Sequence, residues 1–251
     1  MKTIKLLIAI AIALLVICLA GVITLNLIPD VTTQSTTTRE EIPVDNPEVD
    51  SVTLPLTPDA GEEYIDKIYF VGDSTTYHFF KGGVDKSHLL VPPGSYTLML
   101  DSTINQVVVG NKGLTISEAL SDAEAEIVII TLGVNGAADF TENQYKTYYK
   151  KLITAIKEAT PNTVIILQSV FPVTKEYSDN NRITNSKINQ INEWVKEIAY
   201  DMSVKYLDTQ SILKDEKGAQ IAEYGEDDGI HMNASAYRAI LEYIRTHSIY
   251  E

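Results

Sequence analysis

Residues 69–80, YFVGDSTTYHFF, lead an apolar run into Gly72, Asp73 and Ser74 and then into a second aromatic run. Gly, Asp and Ser are the residues that a turn between a strand and a helix favours. The stretch therefore predicts a buried strand followed directly by a helix. By itself it leaves two interpretations of Ser74 open: a nucleophile at the end of the strand, or a hydroxyl that caps the helix.

Short β-branched runs and longer helical periods alternate after residue 64. The apolar residues of these runs follow one another without alternation, as in strands buried on both faces. The predicted strands are residues 68–71, 106–109, 127–132, 164–169 and 204–207. Strands that alternate with helices predict a parallel sheet covered on both faces. Ligands bind such a sheet beyond the carboxyl ends of its strands, which is where Ser74 lies.

The N-terminus contains a long uncharged stretch, residues 6–28. It is long enough to cross a bilayer, whereas the apolar core of a secretory signal is usually shorter. Lys2 and Lys5 precede it and Asp30 follows, so the positive-inside rule places the rest of the chain outside the cell. We therefore expect a single-pass membrane anchor in the cell membrane, with cleavage near Ala20 as the alternative.

The composition changes after the uncharged stretch. Residues 29–63 are rich in Thr, Pro and acidic residues and show no amphipathic period, which is typical of a disordered linker. The predicted organisation is thus an anchor over residues 1–28, a linker over residues 29–63 and a folded domain over residues 64–251.

The formal net charge is −14, and nearly all of it lies beyond the N-terminal segment. Such an acidic chain disfavours nucleic acid as a partner and suits neutral or cationic substrates better. The single cysteine, Cys18, lies within the uncharged stretch, so no disulfide forms within this chain. Val16 and Ile17 before it argue against a lipid attachment site, which requires a small residue there.

A serine nucleophile needs an imidazole to take its proton and a carboxylate to orient that imidazole. Of the four histidines, His247 lies in the last turn of the C-terminal helix and His88 in a loop without an evident carboxylate. His78 follows Ser74 by one helical turn and is placed to line a pocket. His231 is the best candidate, because Asp228 precedes it by three residues and Gly229 allows a turn between them.

Acyl transfer also needs N–H donors for the oxyanion of its transition state. The loop VVVGNKGLT offers the backbone amide of Gly113 or of Gly110, and the loop TLGVNGAADF offers the side chain of Asn135. The alternative for Asn135 is a structural residue in an Asn-Gly turn.

The order of these motifs resembles the SGNH (GDSL-type) hydrolases over residues 66–248: G-D-S after the first strand, a glycine after the second, G-x-N after the third and D-x-x-H before the last helix. The resemblance implies a flavodoxin-like three-layer α/β/α fold with a five-stranded parallel sheet, and neither metal nor cofactor. It implies Ser74 as nucleophile, His231 as base and then acid, and Asp228 as the orienting carboxylate. Its oxyanion hole would combine the Ser74 amide, Gly113 (or Gly110) and Asn135.

Two positions depart from the family pattern. Gly136 stands where the third motif usually has Asp, so a hydrogen bond that braces this loop is lost or replaced. Ala236 stands where many members have Gly before the tyrosine of the last helix. Neither departure removes the nucleophile, the base or a principal oxyanion donor.

The resemblance and the predicted location together lead to an extracellular serine esterase that removes small O-acyl groups, such as acetyl, from cell-wall or environmental glycans. Candidate pocket residues are Thr75, His78, Val134 and Ile230. The alternatives are an O-acyltransferase supplied by a membrane partner, a short-chain lipase or thioesterase, and a non-catalytic glycan-binding module. The complete set of Ser, His and Asp disfavours the last of these.

Overall fold

The structure, a computed structural model, describes residues 47–92, 107–136 and 138–250. These residues belong to one compact unit, Asp45–Glu251. The predicted anchor, residues 6–28, lies outside the described residues. Within the described ranges, no helix is both long enough and apolar enough to span a membrane.

Seven strands appear in the described chain. They are β1 (Ile68–Gly72), β2 (Leu89–Leu90), β3 (Val107–Val109), β4 (Lys112–Leu114), β5 (Ile127–Thr131), β6 (Val164–Gln168) and β7 (Lys205–Leu207). Five of them form one sheet in the order β2-β1-β5-β6-β7, and every pair in it is parallel. The predicted five-stranded parallel sheet is therefore confirmed.

One predicted strand of this sheet is wrong. Residues 107–109 pair with β4 in a separate antiparallel hairpin around Gly110, whose φ is 62°. Val108 is 64% exposed and Val109 44% exposed, so the apolar run there does not mark a strand of the central sheet. The fifth strand of the sheet is β2, whose two leucines pair with β1 and are too few to give a recognisable pattern.

Eight α-helices of the described residues surround the strands. They are α1 (Pro47–Asp50), α2 (Glu62–Ile65), α3 (Ser74–Tyr77), α4 (Ile116–Asp122), α5 (Glu142–Ala159), α6 (Lys175–Asn180), α7 (Asn185–Asp201) and α8 (Ala234–Arg245). The last five begin where the sequence offers a capping side chain, and that side chain accepts a backbone N–H of the first turn. The caps are Thr115, Thr141, Thr174, Thr184 and Asn233.

The central strand β5 shows why its sequence does not alternate. Val128 and Ile130 belong to the core cluster that also contains residues of α5 and α7. Ile127 and Ile129 belong to a second cluster, which contains residues of α2 and α8. Both faces of the sheet are thus covered by helices, which gives the three-layer architecture.

The folded unit begins earlier than residue 64. Leu54 is 6% exposed and its N–H donates to the carbonyl of Tyr206 at 2.9 Å. The N–H of Tyr206 in turn donates to Val52 at 2.9 Å, and Thr53 forms a parallel bridge with Tyr206. The segment 52–54, assigned to the linker from the sequence, therefore lies along the free side of β7. Residues 29–46 of that linker lie outside the described residues.

Candidate active site

Gly72 ends β1 in a position where a larger residue does not fit. A Cβ built on Gly72 would lie 1.9 Å from the Thr76 Oγ1 atom and 2.4 Å from the Thr131 carbonyl oxygen. Both distances are far below van der Waals contact. The glycine therefore lets the chain turn sharply from β1 into α3, with the first turn of the helix against the neighbouring strand.

Asp73, and not Ser74, caps α3. Its Oδ1 atom accepts the Thr75 backbone N–H at 3.0 Å and the Thr75 hydroxyl at 2.8 Å. Asp73 is 3% exposed, and this burial raises the pKa of its carboxyl, while the hydrogen bonds from Thr75 and the Asn135 backbone act in the opposite direction. Ser74 is the first residue of the helix and is half-buried. The capping interpretation of Ser74 thus does not apply.

The structure brings Ser74, His231 and Asp228 together. The His231 Nε2 atom lies 2.9 Å from the Ser74 Oγ atom, and Nδ1 lies 2.6 Å from the Asp228 Oδ2 atom. An ionised carboxylate only accepts, so Nδ1 carries the proton that it shares with Asp228. In neutral His231 the Nε2 atom then accepts from the Ser74 hydroxyl, which is the tautomer that a general base requires.

Asp228 holds the backbone of its loop as well as the imidazole. Its Oδ1 atom accepts the N–H of Ile230 at 2.9 Å and the N–H of His231 at 2.8 Å. Partial burial by itself would raise the pKa of Asp228, but the hydrogen bonds from the His231 ring and from these two amides outweigh it and lower the pKa to about 2. The carboxylate therefore stays charged across the pH range in which a folded enzyme works.

Gly229 supplies the turn between the two residues, with φ +74°. A Cβ built there would lie 2.7 Å from the Thr174 Oγ1 atom and 2.9 Å from the Tyr177 Cβ atom. The Gly229 carbonyl accepts the Thr174 N–H at 2.9 Å. The N-terminal end of α6 thus packs directly on the loop that carries His231.

The third loop places Asn135 next to the Ser74 turn, because the Asn135 backbone N–H donates to Asp73. Gly136, which follows, has φ +102°, a conformation that favours glycine. Its carbonyl accepts the N–H of Asp139 at 2.9 Å and that of Phe140 at 3.2 Å. These backbone bonds brace the loop without the Asp that the family pattern has at position 136.

The second candidate oxyanion loop is the β3–β4 hairpin. Gly113 lies in β4 opposite Val108, Gly110 lies in the turn, and both glycines are exposed. Residues 93–106, which precede the hairpin, lie outside the described residues. The oxyanion role of either glycine stays a prediction, as do the catalytic roles of the other site residues.

The four predicted pocket residues differ in accessibility. Thr75 and Val134 are 5% and 4% exposed, so they offer almost no surface to a ligand. His78 and Ile230 are half-buried. The His78 ring lies 4.7 Å from the His231 ring, centroid to centroid, in a T-shaped contact. Burial lowers the pKa of His78, and its neighbours Lys81 and His231 act in the same direction.

One contact of the site has no signal in the sequence. Lys81 follows Ser74 along the chain, and its Nζ atom lies 2.5 Å from the Glu226 Oε1 atom and 3.4 Å from the Met232 carbonyl oxygen. The Glu226 N–H donates to the His231 carbonyl at 3.0 Å. This ion pair therefore joins the segment that carries the serine to the loop that carries the histidine, across 145 positions of sequence.

A polar cavity of about 410 Å³ lies beside Asp228, on the α6 side of the loop. It is lined by Thr174, Glu176, Tyr177, Asn180, Asn181, Asp227, Asp228 and Gly229. Across the part of the chain that the structure describes, no three His, Cys, Asp or Glu side chains are grouped so as to hold a metal ion.

Comparison with known proteins gives one family match. The model of the GDSL-like lipase/acylhydrolase family matches residues 70–239, which contain Ser74, Asn135, Asp228 and His231. None of the curated proteins matches the chain.

Two solved structures illustrate the likeness in fold. A GDSL-like lipase from Bacteroides thetaiotaomicron VPI-5482 has a TM-score of 0.53 and 18% identity, over 78% of this chain and 90% of that one. A family two carbohydrate esterase from Clostridium thermocellum, solved in complex with cellohexaose, has a TM-score of 0.50 and 15% identity, over 71% of this chain and 62% of that one. At such identities the likeness concerns the fold alone.

Proposed function

This chain belongs to the GDSL-like lipase/acylhydrolase family, and from that premise we propose that it is a serine esterase that hydrolyses small O-acyl esters of carbohydrates, O-acetyl esters above all. The observation that carries the proposal is the hydrogen-bonded series from Ser74 Oγ through His231 to Asp228, at 2.9 and 2.6 Å. A serine, an imidazole and a carboxylate at these distances have the geometry of an activated nucleophile.

In the proposed reaction, Ser74 Oγ attacks the ester carbonyl carbon while His231 Nε2 takes the hydroxyl proton. The tetrahedral oxyanion accepts hydrogen bonds from the Ser74 amide and the Asn135 side chain, with a hairpin glycine as the third donor. The C–O bond to the alcohol then breaks, and His231 returns the proton to the leaving oxygen. Water, deprotonated by His231, attacks the acyl-enzyme and releases the acid and free Ser74. Asp228 stabilises the imidazolium in both halves of the cycle.

Several features support a carbohydrate ester as substrate. The cavity beside Asp228 is lined mainly by polar and acidic side chains and is therefore a poor site for a long acyl chain. The net charge of −14 suits a neutral or cationic polymer. The Clostridium thermocellum protein of similar fold is a carbohydrate esterase, which makes this substrate class a reasonable choice for this chain.

The test is turnover of p-nitrophenyl esters from acetyl to octanoyl by wild type and by Ser74→Ala, together with acetate release from an acetylated xylan. We expect activity to fall with acyl length and to be nearly absent in Ser74→Ala. Full activity in Ser74→Ala would contradict the proposal, as would a covalent fluorophosphonate adduct that maps to another serine.

Transfer of acetyl to an added oligosaccharide, in preference to water, would instead identify an acyltransferase that works with a membrane partner. A preference for octanoyl would indicate a lipase or thioesterase.

We also propose that the domain is extracytoplasmic and held at the cell membrane by residues 6–28. The uncharged stretch, the two lysines before it and the aspartate after it support this location. Protease treatment of intact cells should then remove the domain from the surface. A full-length chain that is protected and cytosolic would contradict the location without affecting the chemistry.

A further inference from the structure

Two aromatic residues follow the nucleophile closely: Tyr77 is the last residue of α3, and His78 comes directly after it. Tyr77 and His78 follow Ser74 by three and four residues, the spacing that puts side chains on one face of a helical turn. Phe80 continues this group, with ring centroids 5.3 Å from Tyr77 and 6.1 Å from His78. Phe79, between them, turns inward and is fully buried. This segment therefore contributes one ring, Phe79, to the core and three rings to positions nearer the surface.

This aromatic face, Tyr77, His78 and Phe80, is continuous with the catalytic residues. His78 forms its inner end, because its ring contacts the His231 ring at 4.7 Å. Tyr77 forms its outer end and is 42% exposed, one of the few large hydrophobic side chains in the described chain to be so open. A molecule whose ester group reaches Ser74 therefore has a ring surface within reach on this side.

The ammonium group of Lys86 lies over two rings of this aromatic face. The Lys86 Nζ atom lies 4.5 Å from the Phe80 ring centroid and 5.8 Å from the Tyr77 ring centroid. The cation–π attraction of Lys86 favours the present arrangement of these two rings.

The shape of this surface favours a sugar ring over an acyl chain. The C–H face of a pyranose is flat and weakly apolar and matches one open aromatic ring, whereas a long acyl chain needs an enclosed apolar channel. The polar cavity beside Asp228 is lined by side chains that suit hydroxyl groups.

We propose that Tyr77 stacks on a pyranose ring of the acylated glycan and so places the ester at Ser74. The proposal rests on the proposed function and adds the residue that recognises the sugar. Removal of the ring is then expected to weaken binding of sugar esters and to leave a small ester that lacks a sugar much less affected.

The experiment compares Tyr77→Ala and Tyr77→Phe with Tyr200→Ala, a matched change at a 39% exposed tyrosine of α7. The substrates are an acetylated xylo-oligosaccharide and ethyl acetate, which has no ring. For Tyr77→Ala we expect kcat/KM on the oligosaccharide, relative to ethyl acetate, to fall about 10-fold through a higher KM. Tyr77→Phe keeps the ring and should retain most of that ratio, and Tyr200→Ala should retain all of it.

A second measurement does not depend on turnover. Titration of unacetylated xylo-oligosaccharide into Ser74→Ala, followed by NMR, should shift ring signals of Tyr77, and the added Tyr77→Ala change should weaken the binding. An equal loss on both esters in Tyr77→Ala, or no loss on either, would overturn the proposal. So would a titration in which the Tyr77 change has no effect. Absence of hydrolysis of any ester would count against the proposed function alone, because the titration still decides on the sugar site.

Discussion

At the residue scale, the three residues of the β1–α3 turn meet three separate requirements. Gly72 has no room for a Cβ against Thr131, Asp73 caps the helix, and only Ser74 presents its oxygen to His231. Because the capping role belongs to Asp73, the hydroxyl of Ser74 is available for chemistry. The order of these residues therefore matters, because an exchange of Asp73 and Ser74 would remove the nucleophile.

Asn135→Ala tests the oxyanion role of that side chain. The variant keeps the backbone N–H that donates to Asp73, so the loop should remain in place. We expect kcat to fall about 10²-fold or more, because one preorganised donor is typically worth about 3 kcal/mol. Steady-state kinetics and thermal unfolding measure the two effects separately. Asn162→Ala, in an exposed turn before β6, is the control. A loss of Tm with near-normal turnover would show that Asn135 is only a turn residue.

Asp228 gives a prediction about stability at acidic pH. Its pKa of about 2 lies below the ordinary value of 3.8, so the folded state favours the carboxylate more than the unfolded state does. The stabilisation is therefore complete above the ordinary value and disappears as the pH falls through 2. We expect Asp228→Asn to have a lower Tm than wild type near neutral pH and the difference to shrink towards about pH 2. A difference that is constant with pH would contradict this role of the charge.

At the element scale, α6 supports the loop that carries Asp228, Gly229 and His231. Thr174 caps this helix and also donates its N–H to Gly229, and Tyr177 packs where a side chain of Gly229 would otherwise lie. A short surface helix thus determines how closely the loop approaches the domain. Because Asp228 of this loop holds the imidazole, the position of His231 depends on how closely the loop packs on α6.

Gly229→Ala measures this support, with Gly218→Ala as a matched control. Both glycines have positive φ, +74° and +77°, but a Cβ on Gly218 would meet no atom within 4 Å. The strained backbone should cost each variant about 1–2 kcal/mol of unfolding free energy. Gly229→Ala should lose further stability and, in addition, most of its esterase activity. Denaturant unfolding and kcat/KM provide the comparison, and equal behaviour of the two variants would argue against a tight contact with α6.

The sequence predicts the elements that have a long pattern and misses those that do not. The apolar runs of β1, β5 and β6 are recognisable because both faces of each strand are largely buried. Leu89 and Leu90 are only two residues, and the exposed Val108 has the same β-branched character as a core strand. Asp228 and His231 are close in sequence and were recognisable, whereas the bond between Lys81 and Glu226 depends on tertiary packing that no local pattern records.

At the scale of the whole molecule, the folded unit includes part of the predicted linker. Leu54 is buried, and residues 52–54 exchange backbone hydrogen bonds with Tyr206 of β7. Further along, the Thr57 N–H donates to Thr246 at 2.7 Å and the Ala60 N–H to Arg245 at 3.0 Å. Residues 52–54 thus contact β7, and Thr57 and Ala60 contact the end of α8.

Two truncations test this boundary. A chain that starts at residue 47 should keep the Tm of a chain that starts at residue 29, whereas a chain that starts at residue 64 should melt at a clearly lower temperature. The loss arises because burial of Leu54 and several backbone hydrogen bonds disappear together. Differential scanning calorimetry measures both proteins. Equal melting temperatures of the two truncated proteins would show that residues 47–63 add no stability.

The segment on β7 has a further consequence, which concerns contact between different molecules. An uncovered outer strand offers its N–H and C=O groups to any other extended chain and so invites aggregation. Here residues 52–54 occupy that side of β7, and at the opposite border of the sheet β2 contains only two residues. Among the residues that the structure describes, neither border of the sheet then presents a long free strand. Loss of the segment 52–54 would expose the Tyr206 backbone as a template for pairing with another copy.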